Sequence, residues 1–189
     1  MKAIELAKAF DPKSYEDRIH RFWMDHGLFA PRPNGGGSTY VIVIPPPNVT
    51  GVLHMGHGLN NSLQDIEVRY HRMLGDETLW VPGSAHAGIA TQNVVENALK
   101  KRGTSRRELG REKCVEETWK VTHEHHDIIV KQLQRLGSSC DWARERFTLD
   151  EGLSAAVREV FVALYEKGLV YRGTYLVNWC TSCRTAISD

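Results

Sequence analysis

Hydrophobic and polar positions predict a strand, a helix and a second strand in the first half of the chain. Tyr40 to Ile44 is a β-branched and aromatic run, which is typical of a strand. Leu59 to Leu74 has helical spacing and ends at Gly75. Glu77 to Val81 is a second strand candidate. This order and length indicate a parallel crossover in an α/β sheet, with ligands bound where the strands end.

The remaining segments are predicted to be mainly helical. Helices are expected at Asp11 to about His26, Asn93 to Arg102, Glu112 to Leu136 and Leu153 to Lys167. Short strands are expected at Leu169 to Tyr171 and at Tyr175 to Val177. Ser105 and Glu108 have the spacing of a helix-capping box. Phe22 and Trp23 are interpreted as core anchors, and the glycine-rich residues 31–38 as a flexible connector.

Composition narrows the class of protein without naming its function. The chain has 189 residues, of which 41% are apolar and 25% charged, as in ordinary globular proteins. A net charge of +1 does not by itself point to nucleic acid. There is no membrane-length apolar run and no signal-peptide core, and four cysteines do not suggest a secreted disulfide framework. The expectation is a cytoplasmic protein.

The loop from Pro45 to Gly58 carries the strongest chemical signal. Three prolines stiffen the exit from the predicted strand, and His54 and His57 follow where the next helix should begin. A helix N-terminus attracts phosphate, and two imidazoles add directed donors. Gly56 lacks a Cβ, so a flat ring could lie against the backbone there. The alternative is a pair of surface histidines at a helix start.

Three further groups of residues are candidate sites. His86 either faces the same site or caps a helix start through the backbone. The run His123 to Asp127 looks like a metal cluster, but it lacks the H-E-x-x-H spacing and is interpreted as an exposed polar face. Cys180 and Cys183 give two thiolates, half of a tetrahedral zinc site. Cys114 and Cys140 are expected to be buried thiols.

The loop resembles a known signature. His54-Met55-Gly56-His57 resembles the first signature of the class I aminoacyl-tRNA synthetases, and the longer string from Pro45 resembles the valyl-tRNA synthetases among them. Other matching stretches are Gly83 to Gln92, Leu136 to Trp142, Val177 to Cys180 and Ala186 to Asp189. The resemblance therefore extends over nearly the whole chain.

The resemblance implies a fold and a reaction. The fold would be the first half of a Rossmann-like α/β nucleotide-binding domain, with parallel strands flanked by helices. Residues 1–38 would form an N-terminal helical extension, 39–176 the nucleotide-binding half and 177–189 the start of an insertion. The reaction would be activation of valine by ATP, supplied with Mg²⁺, to valyl-adenylate, followed by transfer to tRNA.

Residue roles follow from the same resemblance. His54 and His57 would be catalytic and, with Gly56 and Asn48, would bind ATP, with Gly56 under the adenine. Pro45, Pro46, Asn48, Ala85 and His86 would line the amino-acid end, and Cys180 with Cys183 would bind zinc. At Ala85 the sequence departs from the family, which has an aspartate there to meet the α-ammonium group of the amino acid.

The family pattern is incomplete in these 189 residues. The editing insertion, the second half of the nucleotide fold, the Lys-Met-Ser-Lys-Ser loop and the tRNA-binding elements have no match here. An N-terminal catalytic fragment with impaired activity is therefore expected. The alternatives are a non-catalytic fragment that binds ATP or a partner chain, another H-x-G-H nucleotidyltransferase such as a cytidylyltransferase, and a structural module stapled by the C-x-x-C pair.

Overall fold

The computed structural model describes residues 8–32, 36–182 and 184–187. They form two compact units that divide between Asp150 and Glu151. The helices are α1 Glu16–Asp25, α2 Met55–Leu74, α3 Gly88–Lys101, α4 Arg106–Leu109, α5 Arg111–Arg135 and α6 Glu151–Glu166. The strands are β1 Thr39–Val43, β2 Glu77–Val81, β3 Gly83–Ser84, β4 Arg146–Phe147, β5 Asn178–Cys180 and β6 Thr185–Ile187. The predicted division at residues 38 and 176 stays a prediction.

The first unit is built around the predicted strand–helix–strand crossover. β1 and β2 pair in parallel, with Tyr40 opposite Thr78 and Ile42 opposite Trp80. Helix α2 connects them and begins four residues before the predicted start, because His54 caps its N-terminus. Gly75 ends the helix in the left-handed conformation, with φ at 89°. The α/β fold with parallel strands and flanking helices is confirmed.

The core of this unit lies between the two paired strands and helices α2 and α5. Its fully buried members are Ile44, Val49, Val68, Trp80, Ile129, Leu133 and Cys140. Trp80 is the largest of them, and its indole N–H donates to Gln64 Oε1 at 3.1 Å. Burial of a large apolar side chain contributes about 1.5–3 kcal/mol, so this cluster fixes α5 beneath the loop that leaves β1.

The helices after β2 match the predictions with shifted starts. Helix α3 begins at Gly88, five residues before the predicted Asn93, and α5 runs as predicted to within one residue. The capping box is confirmed, since Ser105 N donates to Glu108 Oε2 at 3.0 Å and Glu108 N donates to Ser105 Oγ at 3.3 Å.

The core role predicted for the aromatic residues of α1 is partly wrong. Phe22 is 52% exposed and contacts the ring of His26 at a centroid distance of 4.2 Å. Trp23 is half-buried, between Phe29 and the guanidinium of Arg69. The helical spacing is confirmed, but Phe22 lies outside the core of the described residues.

The second unit contains α6 and a short hairpin. Helix α6 confirms the predicted helix, but the strands predicted at 169–171 and 175–177 are wrong. Their side chains are mostly exposed, and the strands of this unit lie later, where β5 pairs antiparallel with β6. A strand requires a hydrogen-bonded partner, which local composition does not supply. No helix in the described ranges is long and apolar enough to cross a membrane.

Candidate functional site

Two loops meet where β1 and β2 end, as predicted. Val49 N donates to Ala85 O at 3.0 Å, and Ala85 N donates to Pro47 O at 2.9 Å. These bonds form a parallel bridge between Asn48 and Ala85. The prolines supply no backbone donors, so this bridge carries the backbone pairing beyond the strand. Pro45, Pro46 and Asn48 lie exposed on the first loop, and Pro47 is buried.

The two signature histidines cap the helix that follows. Gly56 N donates to His54 Nδ1 at 3.1 Å, and His54 N donates to His57 Nδ1 at 3.2 Å. The ring centroids are 4.0 Å apart. The placement at the start of α2 is confirmed. The imidazoles themselves accept from two N–H groups at this helix start, so those two groups are not free to bind phosphate.

This capping determines which ring nitrogen can act on a ligand. Because Nδ1 accepts a hydrogen bond in both rings, the neutral tautomer carries its proton on Nε2. Burial, and secondly the neighbouring His54, lower the pKa of His57 below its usual 6.5. A neutral His57 therefore offers an Nε2–H donor at pH 7. Two such donors side by side can bind the oxygens of an anion such as phosphate.

Gly56 provides the space that this arrangement needs. A Cβ added at Gly56 would lie 2.9 Å from Cε1 of His54. The flat ring expected against this glycine is thus the His54 imidazole in this structure. The proposed contact between Gly56 and adenine stays a prediction.

Helix α5 supports both loops through residues that sequence reasoning missed. His125 Nδ1 donates to Val49 O at 3.0 Å, and Leu53 N donates to Gln132 Oε1 at 2.9 Å. His126 Nδ1 lies 2.9 Å from Ser84 Oγ. The predicted exposed polar face is therefore wrong for His125 and His126, which are half-buried. Their spacing from the buried positions of α5 was the signal that could have found them.

The same run contains no metal site. In the part of the chain that the structure describes, no three His, Cys, Asp or Glu residues are grouped to hold a metal ion. His123 and Asp127 are exposed. Cys180 lies in β5 of the second unit, and Cys183 lies outside the described residues. The predicted zinc half-site therefore stays a prediction.

The second loop is held from its other side by β4 and the residue after it. His86 N and His86 Nδ1 both lie within hydrogen-bonding distance of Thr148 Oγ1, at 2.9 and 2.6 Å. Thr148 N donates to Ser84 O at 3.1 Å. His86 is thus bound by a side-chain oxygen, which neither of its two interpretations anticipated. Ala85 uses both backbone groups in the bridge, and its methyl group offers neither a charge nor an acceptor.

Polar residues near the end of α2 anchor this helix to the turn after α5. Asp65 Oδ1 accepts from Ser139 N at 2.8 Å and from Ser139 Oγ at 2.6 Å. Arg72 donates to Ser139 O at 2.7 Å, and Arg69 donates to Gly137 O at 2.7 Å. Ser139 is fully buried. The turn therefore fixes α2, and with it the position of His54 and His57.

Comparison with known proteins agrees with this geometry. Residues 18–189 match the family model of the class I tRNA synthetases (I, L, M and V). Over 190 residues the chain is 63% identical to a valine–tRNA ligase of Treponema denticola, covering 100% of this chain and 21% of that protein. A valine–tRNA ligase of Geobacter sulfurreducens is 60% identical over 98% of the chain and 21% of its own length.

A solved structure shows the same fold. A crystal structure of the ternary complex of Agrobacterium radiobacter K84 agnB2 LeuRS with tRNA and LeuAMS matches with a TM-score of 0.79 and 25% identity. The match covers 95% of this chain and 21% of that chain. The chain therefore spans about a fifth of the length of the relatives it matches. The chain belongs to the class I tRNA synthetases of the I, L, M and V family.

Proposed function

We propose that this chain carries the nucleotide-binding half of a valine–tRNA ligase active site. The reaction is activation of valine by ATP to valyl-adenylate and pyrophosphate, followed by transfer to tRNA. One observation carries the proposal. His54 and His57 cap α2 through Nδ1, on a loop bridged to the second loop, in a chain 55–63% identical to valine–tRNA ligases.

The two histidines would act on the phosphates of ATP. When the carboxylate of valine attacks the α-phosphorus, pyrophosphate leaves and negative charge builds on the non-bridging oxygens. Nε2–H donors that are already oriented stabilise this charge without reorganising, and loss of one such donor costs roughly 100- to 1000-fold in rate. Mg²⁺, bound with ATP, would neutralise part of the phosphate charge.

Different residues of the two loops would contact ATP and valine. Asn48 and Gly56 would contact ATP. Pro45, Pro46 and Asn48 would also border the amino-acid end, together with Ala85 and His86 of the second loop. The bridge between Asn48 and Ala85 supports a shared binding site, because the first loop lies directly beside the second.

A zinc site at the hairpin is part of the proposal. Cys180 and Cys183 would supply two thiolates, and structural zinc takes four ligands. Zinc should therefore bind weakly to a single copy of these residues. Two chains could complete a four-thiolate site between them. Metal analysis of purified protein tests this: a stoichiometric zinc in a proven monomer would show that two ligands have been missed.

Ala85 favours a second candidate, a non-catalytic ATP-binding fragment. Valine enters with a positive α-ammonium group, and removing an unpaired charge from water is unfavourable. The family's aspartate would meet that charge, but the methyl group of Ala85 cannot. A chain that retains the histidine pair and lacks this carboxylate could still bind ATP without activating valine.

Valine-dependent exchange of pyrophosphate into ATP separates the two candidates. It is best measured in a protein that extends beyond these residues through the family's lysine signature, with isoleucine, leucine and methionine for comparison. We expect exchange with valine only. Exchange driven by another amino acid would contradict the valine assignment, and ATP binding without any exchange would favour the second candidate.

A further inference from the structure

Two adjacent histidines of α5 each bind a different loop of the site. His125 Nδ1 donates to the carbonyl oxygen of Val49 in the first loop, at 3.0 Å. His126 Nδ1 lies 2.9 Å from the hydroxyl oxygen of Ser84 in the second loop. Neither histidine belongs to the signature motifs. The two contacts reach the two loops at the point where Val49 N donates to Ala85 O.

Both loop residues that the histidines contact lie in the interior. Val49 is 0% exposed and Ser84 is 2% exposed. A buried carbonyl or hydroxyl without a partner is destabilising, so each loop needs a donor or acceptor from outside itself. The three prolines before Val49 cannot supply an N–H group. The α5 histidines fill this need for both loops from one rigid helix.

A third polar residue of α5 extends the support along the first loop. Gln132 lies two helical turns after His125, and its Oε1 accepts from Leu53 N at 2.9 Å. Between them, Ile129 is 1% exposed and belongs to the same apolar cluster as Val49. The first loop is thus hydrogen-bonded to α5 at Val49 and at Leu53, with the apolar cluster around Ile129 between the two bonds. His54 follows directly after Leu53.

We propose that His125 and His126 are positioning residues that hold the two site loops in register. They would set the separation between the phosphate-binding histidines and the amino-acid end around Ala85. The effect on ATP binding rests on the proposed function, whereas the relative position of the two loops is a property of this chain alone. Two measurements therefore separate the two claims.

The first measurement is amide hydrogen exchange at Val49, Leu53 and Ala85 by NMR. His125→Phe keeps a ring and removes the donor, whereas His125→Asn keeps an N–H group bonded to Cγ. His123→Phe is the matched control, because His123 is exposed on the same helix and stacks on Trp119 at a centroid distance of 5.5 Å. Amides of β2 serve as the internal reference for global stability.

We expect His125→Phe to speed exchange at the three loop amides about 3- to 10-fold relative to β2, the effect of losing one hydrogen bond. His125→Asn should restore most of the protection, and His123→Phe should change nothing. If His125→Phe does not fold, His125→Ala replaces it. Equal loop protection in the donor-deleted variant and the native chain would overturn the role of His125.

A double-mutant cycle tests His126. Ser84→Ala and His126→Phe should each speed exchange at Ala85, and the double variant should be no faster than the more affected single variant, because both remove the same bond. Strictly additive effects would overturn the role of His126.

The second measurement is ATP affinity, by calorimetry on the same variants. If the loop amides loosen and the native chain does not bind ATP, the register proposal stands and the proposed function fails. If the native chain binds ATP and His125→Phe binds it equally well with unchanged protection, the register proposal fails and the function stands. We expect about 3- to 10-fold weaker ATP binding in His125→Phe, with rescue by His125→Asn.

Discussion

At the scale of single residues, His57 combines a helix cap with the donor that the proposed phosphate site requires. Its Nδ1 accepts from His54 N, so its proton is on Nε2 when the ring is neutral. Burial and the neighbouring imidazole disfavour the charged ring, which is why the pKa of His57 lies below 6.5. The ring is then a neutral donor at pH 7, and a bound polyanion would favour its protonated form.

The titration of His57 should therefore respond to nucleotide. NMR titration of the chain should give a pKa for His57 below 6.5 without ligand and a higher value with ATP, because phosphate stabilises the imidazolium. The lowered pKa means that the unfolded chain binds this proton more readily. The stability it contributes is present above about pH 6.5 and is lost as the pH falls towards the folded-state pKa. A pKa unmoved by saturating ATP would contradict the contact.

Restoring the family carboxylate at Ala85 should strengthen valine binding. Removal of one side of a buried charge pair commonly costs about 2–5 kcal/mol, or roughly 30- to several thousand-fold in affinity. Calorimetry on Ala85→Asp, in a protein extended through the lysine signature, should recover a gain of that order, whereas Ala85→Asn should recover little. ATP affinity should change much less. Unchanged valine affinity in Ala85→Asp would show that the role assigned to this position is wrong.

Sequence reasoning located the signature histidines but missed the residues that hold them. His54 and His57 could be placed because a strand, a proline-rich turn and a helix start are local patterns. His125 and His126 act through contacts with loops 76 and 42 positions away in the chain. The polar sequence around them is equally typical of a solvated helix surface. The tautomers of His54 and His57 likewise depend on their hydrogen bonds to the helix N-terminus, which the sequence spacing of the two residues does not reveal.

At the scale of elements, α2 is the helix whose position matters most. Its N-terminus carries the histidine pair, and its later turns are anchored by Asp65, Arg69 and Arg72 to the turn at Gly137 to Ser139. Strand and helix identities in this unit were predictable, because they follow from periodicity and from glycine stops. The short strands β3 and β4 were not, since two-residue pairings have no local signal.

Breaking the Asp65 anchor should loosen α2. Asp65→Ala leaves the buried Ser139 N–H without its acceptor and the Arg69 guanidinium without its carboxylate. Fully buried pairs lose about 3–5 kcal/mol in this way. Because Asp65 is partly exposed, we expect a loss of about 2 kcal/mol in the free energy of urea unfolding. Arg102→Ala, which removes an ion pair with Glu117 on the surface, should leave unfolding unchanged. Equal effects of the two substitutions would contradict the anchoring role.

At the scale of the whole molecule, these 189 residues correspond to about a fifth of their relatives. The loop from Pro45 to Gly58 and its supports lie within the first unit, which ends at Asp150. Because these residues cover only about a fifth of the relatives, binding of ATP and transfer to tRNA should separate experimentally.

A polypeptide of these residues alone should bind ATP and fail to charge tRNA at a normal rate. Catalysis depends on donors positioned around the phosphates, and loss of one donor already costs roughly 100- to 1000-fold. Aminoacylation with purified tRNA is the assay, and a protein extended over the full length of the relatives is the positive control. Normal charging by the 189-residue polypeptide would contradict this expectation.

The most direct test of the proposed nucleotide site is calorimetric titration of the chain with ATP. The variants are His54→Ala and His57→Ala, with the exposed His123→Ala on α5 as the control. We predict that ATP binds the native chain and the control alike and binds each site variant roughly 10-fold or more weakly, since each variant lacks one donor to a charged oxygen. ATP affinity that is the same in all four proteins would contradict the account.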